Sequence, residues 1–329
     1  MVTSSNQIAV AMATFNGARF LETQLRSIFD QIRRPDEIVI SDDHSTDDTL
    51  KIARSFRTEA KKLGISYSVV THSGKPGVAR NFSNAVSHTT AGLVALSDQD
   101  DWWEPGKLES LERIFQGDSA LLMVHSDALL VNESGEPLGM GLLESLRITG
   151  GEQHALMTGH GIKAVARRNL VTGATSMIRR ELADVAGPVP EGWLHDEWWA
   201  LVAASRDGLL LDPTRYQHYR QHEANQVGAT QSGFARLMER FAEPQGVFRE
   251  RHRMRHEGLR NFLSGSEFSG TPQAKKLLFG RLEHYRWQAS LPASRVARIP
   301  AVVAAALRGD YAKYRRGAFD ALRDLLQPA

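Results

Sequence analysis

Cysteine is absent from the 329 residues. That removes disulfides, thiolate metal sites, iron–sulfur clusters and cysteine nucleophiles together. A strong charge bias is also missing. Forty Lys and Arg against 38 Asp and Glu leave a net charge of +2, so a dedicated nucleic-acid binder is not expected. Long apolar runs are lacking. The longest weakly charged stretch, residues 299–307, is far below the roughly 20 residues of a spanning helix. Residues 1–7 are polar, so no secretory signal is expected, and the expectation is a cytoplasmic protein, with contact at the inner face of the cell membrane left open. Neither G-x-G-x-x-G nor a Walker A pattern occurs, which counts against dinucleotide and P-loop readings.

What is present is an ordinary globular composition, 42% hydrophobic and 24% charged, long enough for about two domains. The first hundred residues alternate between two periods. Residues 8–14 (IAVAMAT) form a short apolar run that reads as a buried parallel strand, 37–41 a second apolar strand, and 66–71 and 93–97 a third and a fourth strand. Between them Leu21, Leu25, Ile28, Phe29 and Ile32 recur at helical spacing, and Val78, Phe82, Ala85 and Val86 mark another helix. Ser45 with Asp48 resembles a capping box and predicts a helix through about Leu63. Pro105 suits the first turn of a helix carrying Leu108, Leu111, Ile114 and Phe115. Further strands are expected at 121–131 and 169–178, a helix at 193–204, and a long loop or lid at 139–163. The alternation predicts an α/β fold with a mostly parallel, doubly wound sheet. Composition shifts near residue 229, giving a catalytic-type domain at 1–229 and a helical, basic domain at 230–329. In 271–329, eleven basic residues face four acidic ones.

Ligands in such sheets bind beyond the carboxyl ends of the strands. Three polar segments lie there. Asp98-Gln99-Asp100-Asp101, followed by Trp102-Trp103, packs three carboxylates into four residues. Mutual repulsion favours a divalent cation, Mg²⁺ or Mn²⁺, with a diphosphate completing its shell; the plain alternative is an acidic turn capping a helix. Asp42-Asp43-His44-Ser45 offers a carboxylate to a nucleobase or ribose, or caps the next helix. Thr14-Phe15-Asn16-Gly17 offers backbone donors at a helix start.

Together these segments resemble inverting glycosyltransferases of family 2, with the GT-A fold, and bacterial rhamnosyltransferase-like members in particular. The matching stretches are ATFNGARFLETQLRSIFDQ, EIVISDDHSTDDT, GVARNF, ALSDQDDWWEPGKLE, NLVTGATSMIRREL, HDEWWALVAA and YRQHEANQVG, in that order over residues 8–228. The resemblance implies metal-dependent transfer of a sugar, with inversion, from a nucleotide-diphosphate donor (dTDP-rhamnose or a UDP-hexose). The implied acceptor is a glycan or lipid-linked saccharide of a surface polysaccharide. It implies that Thr14, Asn16, Asp43, Arg80 and Asn81 contact the donor; Arg220 reads either as a partner of the donor diphosphate or as a partner of a surface carboxylate. It also implies that Asp98 and Asp100 contact ribose or metal, with Asp101 as an additional contact. His195-Asp196-Glu197 resembles the family's late acidic motif. The more frequent form is His-Asp-Trp-Trp, and Glu197 is inserted here, so the catalytic base lies between Asp196 and Glu197, with Asp196 favoured. His222 reads either as a metal or diphosphate ligand or as a loop histidine packed on Tyr219. The four tryptophans at 102, 103, 198 and 199 read as pocket walls.

Two rival functions are a sugar nucleotidyltransferase and a non-catalytic nucleotide-sugar scaffold. The first is expected to carry a Gly-rich basic loop after the first strand, which FNGARF is not. The second is favoured by decayed acidic motifs, yet Asp98, Asp100 and Asp196 are all present. The basic C-terminal helices, with Phe319, Leu322, Leu325 and Leu326 at amphipathic spacing, fit a solvated face, a peripheral membrane contact or an oligomer interface.

Overall fold

The apolar runs of the N-terminal half become the centre of one sheet. The computed structural model describes residues 7–222, 245–265 and 268–326, the side chains of 245–252 excepted. β1 (Ile8–Thr14), β2 (Glu37–Asp42), β3 (Ser66–Thr71) and β4 (Leu93–Ser97) are joined by helices. β5 (Trp102–Trp103), β6 (Met123–Val131), β7 (Pro137–Gly141), β8 (Ser176–Arg179) and β9 (Leu209–Arg220) complete the sheet. Its order is β3-β2-β1-β4-β8-β6-β9-β5, with β7 attached to β6.

The first four strands are parallel, as expected. Beyond β4 the pairing is mixed. β8 runs antiparallel to both β4 and β6, β9 runs parallel to β6, and β5 and β7 are antiparallel to their neighbours. Every residue of β2 and β4 is buried, which is why these strands read as continuous apolar runs. Register aligns Thr14 with Asp42 and Met12 with Ser97. The polar segments after β1, β2 and β4 therefore emerge side by side, where the strand order reverses, the position at which open α/β sheets bind ligands.

Several local expectations differ from the structure. The helix Ala18–Phe29 buries Leu21, Leu25, Ile28 and Phe29, but ends before Ile32, which is 70% exposed. Ser45 does not start a helix. Asp42 accepts hydrogen bonds from both its N–H and its hydroxyl, at 2.8 and 2.6 Å, which folds 42–45 into a turn. Two short helices follow instead, Thr49–Ser55 and Arg57–Lys62. Pro105 lies just before the helix Lys107–Gly117, whose N-cap is Gly106. The stretch read as a lid holds β7 and the helices Leu142–Ser145 and Gly150–Met157, the latter opened by a Thr149/Glu152 capping box. Only Ser176–Arg179 of the strand expected at 169–178 forms, after a single 3₁₀ turn at Gly173–Thr175.

The chain divides into two compact units. The first runs to Gly161, takes in Leu170–Val189, and continues from Leu194 through β9; the second combines Ile162–Asn169, Pro190–Trp193 and the C-terminal helices. The boundary expected at 229/230 lies outside the described residues. The second unit contains the helices Gln245–Ser264, Pro272–Ala289, Arg295–Leu307, Asp310–Tyr314 and Ala318–Leu326. Its small apolar core is Leu291, Val302, Ala305 and Tyr311. Around it sit buried charges. Asp320 lies between Arg315 and Arg323, Asp324 accepts from Tyr311 Oη at 2.8 Å, and the Arg298 guanidinium donates to the carbonyls of Pro292, Ala293 and Asp324.

The differing fates of two isoleucines give a direct check on the first helix. Ile28→Ala is expected to lose about 2–5 kcal/mol through cavity formation. Ile32→Ala is expected to change stability by less than about 0.5 kcal/mol. Urea midpoints of the two variants measure both.

Candidate active site

The site is built from the turn after β1 outward. That turn is held by side chains from elsewhere. Phe15 N–H donates to Gln99 Oε1 at 2.9 Å, and Asn16 N–H donates to Ser45 Oγ at 2.8 Å. Gly17 N–H donates to Thr49 Oγ1 at 2.8 Å, and Ala18 N–H to Asp47 Oδ2 at 3.1 Å. The backbone donors expected to cradle a nucleotide are thus already taken. Thr14 is engaged in the same way. Its hydroxyl is buried and donates to Asp42 Oδ2 at 2.8 Å. Asn16 has φ of 48°, a left-handed conformation that Asn tolerates, and its Oδ1 accepts from Thr46 N–H at 2.8 Å. Both residues shape the turn. Gln99 returns a second bond to the Phe15 carbonyl at 3.0 Å, and lies where a Cβ at position 17 would be, so the turn requires glycine there.

Beside this closed turn three buried polar atoms have no partner: Asp43 Oδ1, His72 Nδ1 and Asn81 Oδ1. Asp43 Oδ2 accepts from Gly77 N–H at 2.7 Å, and its Oδ1 lies 3.6 Å from His72 Nδ1. Asn81 Nδ2 donates to the Thr14 carbonyl at 3.1 Å, and Asp43 N–H donates to the same oxygen at 2.9 Å. The structure therefore brings Asp43 and Asn81 together at the ends of β1 and β2, with an unsatisfied acceptor on each. Buried groups of this kind are normally hydrogen-bonded, so the arrangement suits a ligand carrying donors. Arg80 is exposed in the first turn of the helix Val78–Ser87, with Nη1 3.4 Å from the Pro76 carbonyl.

After β4 the three carboxylates converge. One oxygen each from Asp98, Asp100 and Asp101 lie within 4.8 Å of one another. Burial, with Asp100 and Asp196 adding repulsion, pushes the Asp98 carboxyl up to about 8. Asp101 is raised well above the usual carboxylate range by burial and by the other two. The three differ in what they bind. Asp101 faces inward and accepts from Gln217 Nε2 at 3.0 Å and Arg220 N–H at 2.9 Å. Asp100 Oδ2 lies 2.8 Å from His222 Nε2, whose ring packs on Phe20. His222 is thus joined to the acidic group.

Arg220 also has partners within the protein. Its Nε donates to the Asp100 carbonyl at 2.8 Å and its Nη1 to the Glu133 carbonyl, with the guanidinium between the rings of Phe20 and Trp102. It braces the acidic segment through main-chain carbonyls. Asp196 sits in the first turn of the helix His195–Ser205, and its Oδ2 accepts from Gly173 N–H at 3.0 Å. Its charge acts on Asp98, so the late acidic motif reaches the same site. Glu197 is buried beside it and donates its N–H to Asp196 Oδ1 at 2.6 Å. His195 stacks on Phe82 with ring centroids 4.0 Å apart, and burial lowers its pKa to about 3, so it is neutral. A Cβ at Gly173 would lie 2.5 Å from His195 Nε2.

Sequence reasoning missed Gln99, Gln217 and Lys107. Lys107 is fully buried beneath the carboxylates. Its Nζ donates to the Ala174 carbonyl at 2.8 Å and to Gln217 Oε1, and lies 4.0 Å from the centre of the Trp103 ring. Burial lowers its pKa to about 7, against the pull of Asp101 and Asp98. The one available signal was a lysine at a core-facing position, directly preceding Leu108. Of the tryptophans, 103, 198 and 199 are buried, and Trp102 stacks on His218 with centroids 4.4 Å apart.

Known proteins agree with this reading of the fold. Residues 9–157 match the Glycosyl transferase family 2 model. The dTDP-rhamnosyl transferase RfbG of Shigella flexneri is 27% identical over 222 residues, covering 66% of this chain and 74% of that protein. Other curated relatives are matched over only 23% to 50% of their own length. Among solved structures, residues 1–349 of Staphylococcus aureus TarS, in complex with UDP-GlcNAc, superpose with a TM-score of 0.58 at 15% identity, covering 96% of this chain and 89% of that one. The mannosyltransferase PcManGT from Pyrobaculum calidifontis, in complex with GDP-Man and Mn²⁺, superposes with a TM-score of 0.53 at 17% identity, covering 96% and 77%. Residues 9–157 thus carry a glycosyltransferase family 2 region, and the 3-2-1-4 strand arrangement with an acidic cluster at its reversal point gives the chain the GT-A fold of these structural relatives.

Proposed function

We propose that this glycosyltransferase moves a sugar from a pyrimidine nucleotide-diphosphate donor to a hydroxyl of a glycan or lipid-linked acceptor, in one inverting displacement. The observation that carries the reading is the meeting of Asp98, Asp100 and Asp101 within 4.8 Å, with the charge of Asp196 acting on Asp98 from a helix about a hundred residues later. The likeness to RfbG favours dTDP-rhamnose, and the TarS complex with UDP-GlcNAc keeps a UDP-hexose as the second candidate. Intact acidic motifs argue against a non-catalytic scaffold.

The donor set fits a hard divalent cation, because it offers oxygens and one imidazole where carboxylates otherwise repel. Asp98, Asp100 and His222 would hold Mg²⁺ or Mn²⁺, and PcManGT in its complex with Mn²⁺ supports the choice. Such an ion supplies charge neutralisation for a diphosphate leaving group. Asp101 is committed to β9 and fixes the loop. Asp43 and Asn81 offer their open acceptors to the imide and hydroxyl donors of the nucleoside, and Arg80 lies on the same side for the diphosphate. Asp196 takes the proton of the acceptor hydroxyl as its oxygen attacks the anomeric carbon opposite the leaving group. The nucleoside diphosphate departs from the other face, so no covalent nucleophile is required.

Asp196→Asn is expected to lower transfer by about 10²–10⁴-fold while donor binding stays within a few-fold of wild type. Parallel product-release and donor-titration assays separate the two, and equal loss of both would sink the assignment. Asp100→Asn is expected to abolish the rise in melting temperature that Mn²⁺ gives the wild-type protein without donor. The raised Asp98 carboxyl also has a sign. The native state keeps this proton up to about pH 8, whereas the unfolded chain releases it near the ordinary 3.8, so this group's contribution to stability falls as pH rises through that window. In EDTA, the stability of Asp98→Asn relative to wild type should therefore improve from pH 5 to pH 8, read from urea midpoints.

A further inference from the structure

We infer that the helices Arg295–Leu307 and Ala318–Leu326 form a docking surface for an anionic lipid bilayer. The helix Arg295–Leu307 has two faces. Val302, Ala305 and Arg298 are buried on one. On the other, Val296, Ile299, Val303 and Leu307 recur at spacings of three, four and four residues, and so lie within one stripe. All four are exposed, Val296 by 76% and Leu307 by 84%. The helix Ala318–Leu326 packs against this one and adds exposed Leu322 and Leu326.

The exposure is built in. In Ala318–Leu326 the residues turned inward are Asp320, Arg323 and Asp324, held by Arg315, Tyr311 and Gln288. An amphipathic helix has placed its charges inside and two leucines outside. A contiguous apolar surface of this kind marks an interaction site on a soluble unit.

Charge selects the occupant. Among the described residues from 295 to 326, the exposed charged side chains are Arg295, Arg308, Lys313 and Arg316, all basic. Asp320 and Asp324 are buried, and Asp310 is half-buried and paired with Arg308. An apolar stripe with a cationic rim and no exposed carboxylate is complementary to acyl chains under anionic headgroups. Two copies of this surface facing each other would bring like charges together at the rim.

The test is flotation of the full chain with vesicles of equal phosphatidylglycerol and phosphatidylcholine, with phosphatidylcholine vesicles alongside. The expected result is low-salt flotation with the anionic vesicles alone. Val296→Ser combined with Leu307→Ser should weaken it about tenfold or more, and Arg295→Gln combined with Lys313→Gln should weaken it by a similar factor. An unchanged melting temperature shows that both variants fold. No flotation, or flotation indifferent to both variants, overturns the proposal. So does a concentration-dependent dimer in sedimentation velocity that the Val296/Leu307 variant dissolves, because a second copy would then cover the stripe. None of these readouts uses transfer activity, so their failure leaves the catalytic reading untouched.

Discussion

The structure around the site depends on one constraint: negative charge is concentrated beyond β4 faster than the protein neutralises it. Two ionised carboxylates 4.8 Å apart repel by about 3 kcal/mol at an effective dielectric of about 20. Fully ionised, Asp98, Asp100 and Asp101 would make three such pairs, and Asp196 adds repulsion at Asp98. The one fully buried cation beneath them is Lys107, whose own charged form burial disfavours. The arrangement survives because the members are treated differently. Asp101 is turned inward and tied to Gln217 and Arg220 of β9, and Lys107 shares Gln217 with it. Asp98 keeps a proton to about pH 8. Asp100 is left with His222. The same sequence motif thus contains a foundation residue and two residues poised for a cation.

The turns after β1 and β2 follow a matching logic. Their backbone donors and small hydroxyls look like ligand-binding groups, yet nearly all are satisfied within the protein. Asp42 organises Thr14 and Ser45, while Gln99 clips the β1 turn to the acidic segment. Rigid turns leave few groups open, and those are Asp43 Oδ1 and Asn81 Oδ1, with His72 Nδ1 nearby. Selectivity in such a pocket comes from a small number of fixed acceptors, since a ligand that fails to satisfy them leaves them buried and unpaired. The same clip couples the pocket to the acidic cluster, because Gln99 stands between Asp98 and Asp100 in sequence.

What was legible in the sequence was whatever is encoded locally. Strands buried on both faces are largely apolar, so β1, β2 and β4 could be placed to within a residue or two, and the polar segments at their ends followed; β3, half-exposed, was placed by the alternation of strand and helix around it. The pairing beyond β4 was not legible, because β8 is four residues long and its antiparallel neighbours are set by tertiary contacts. Lys107, Gln99 and Gln217 escaped for the same reason. Their partners lie 67, 84 and 116 residues away, and no local pattern records them. Ser45 misled because a serine followed by an aspartate three residues on fits a capping box, and an Asx turn closed by Asp42 competes for the same hydroxyl. Thr14 and Arg220 have internal partners that the sequence did not indicate, since type and position locate a side chain but do not say which neighbour claims it.

The C-terminal helices show the same limit from the other side. An amphipathic period says that a helix has two faces; it does not say which one is buried. The usual resolution is that apolar residues go inward, because burying a charge without a partner costs far more than exposing a leucine. Ala318–Leu326 reverses that resolution in part: Ala321 and Leu325 pack on the unit's core, yet Asp320, Arg323 and Asp324 are buried as well, because partners are present. Asp320 meets two arginines, and Asp324 meets a tyrosine and a glutamine, so the charged stripe is satisfied inside. Reversal then leaves Leu322 and Leu326 in water beside Val296 and Leu307, with no compensation within the unit. Replacing a buried ion-pair network by well-packed apolar residues is often neutral or stabilising. Stability alone therefore does not require this arrangement, and the exposed stripe points to something outside the chain that covers it.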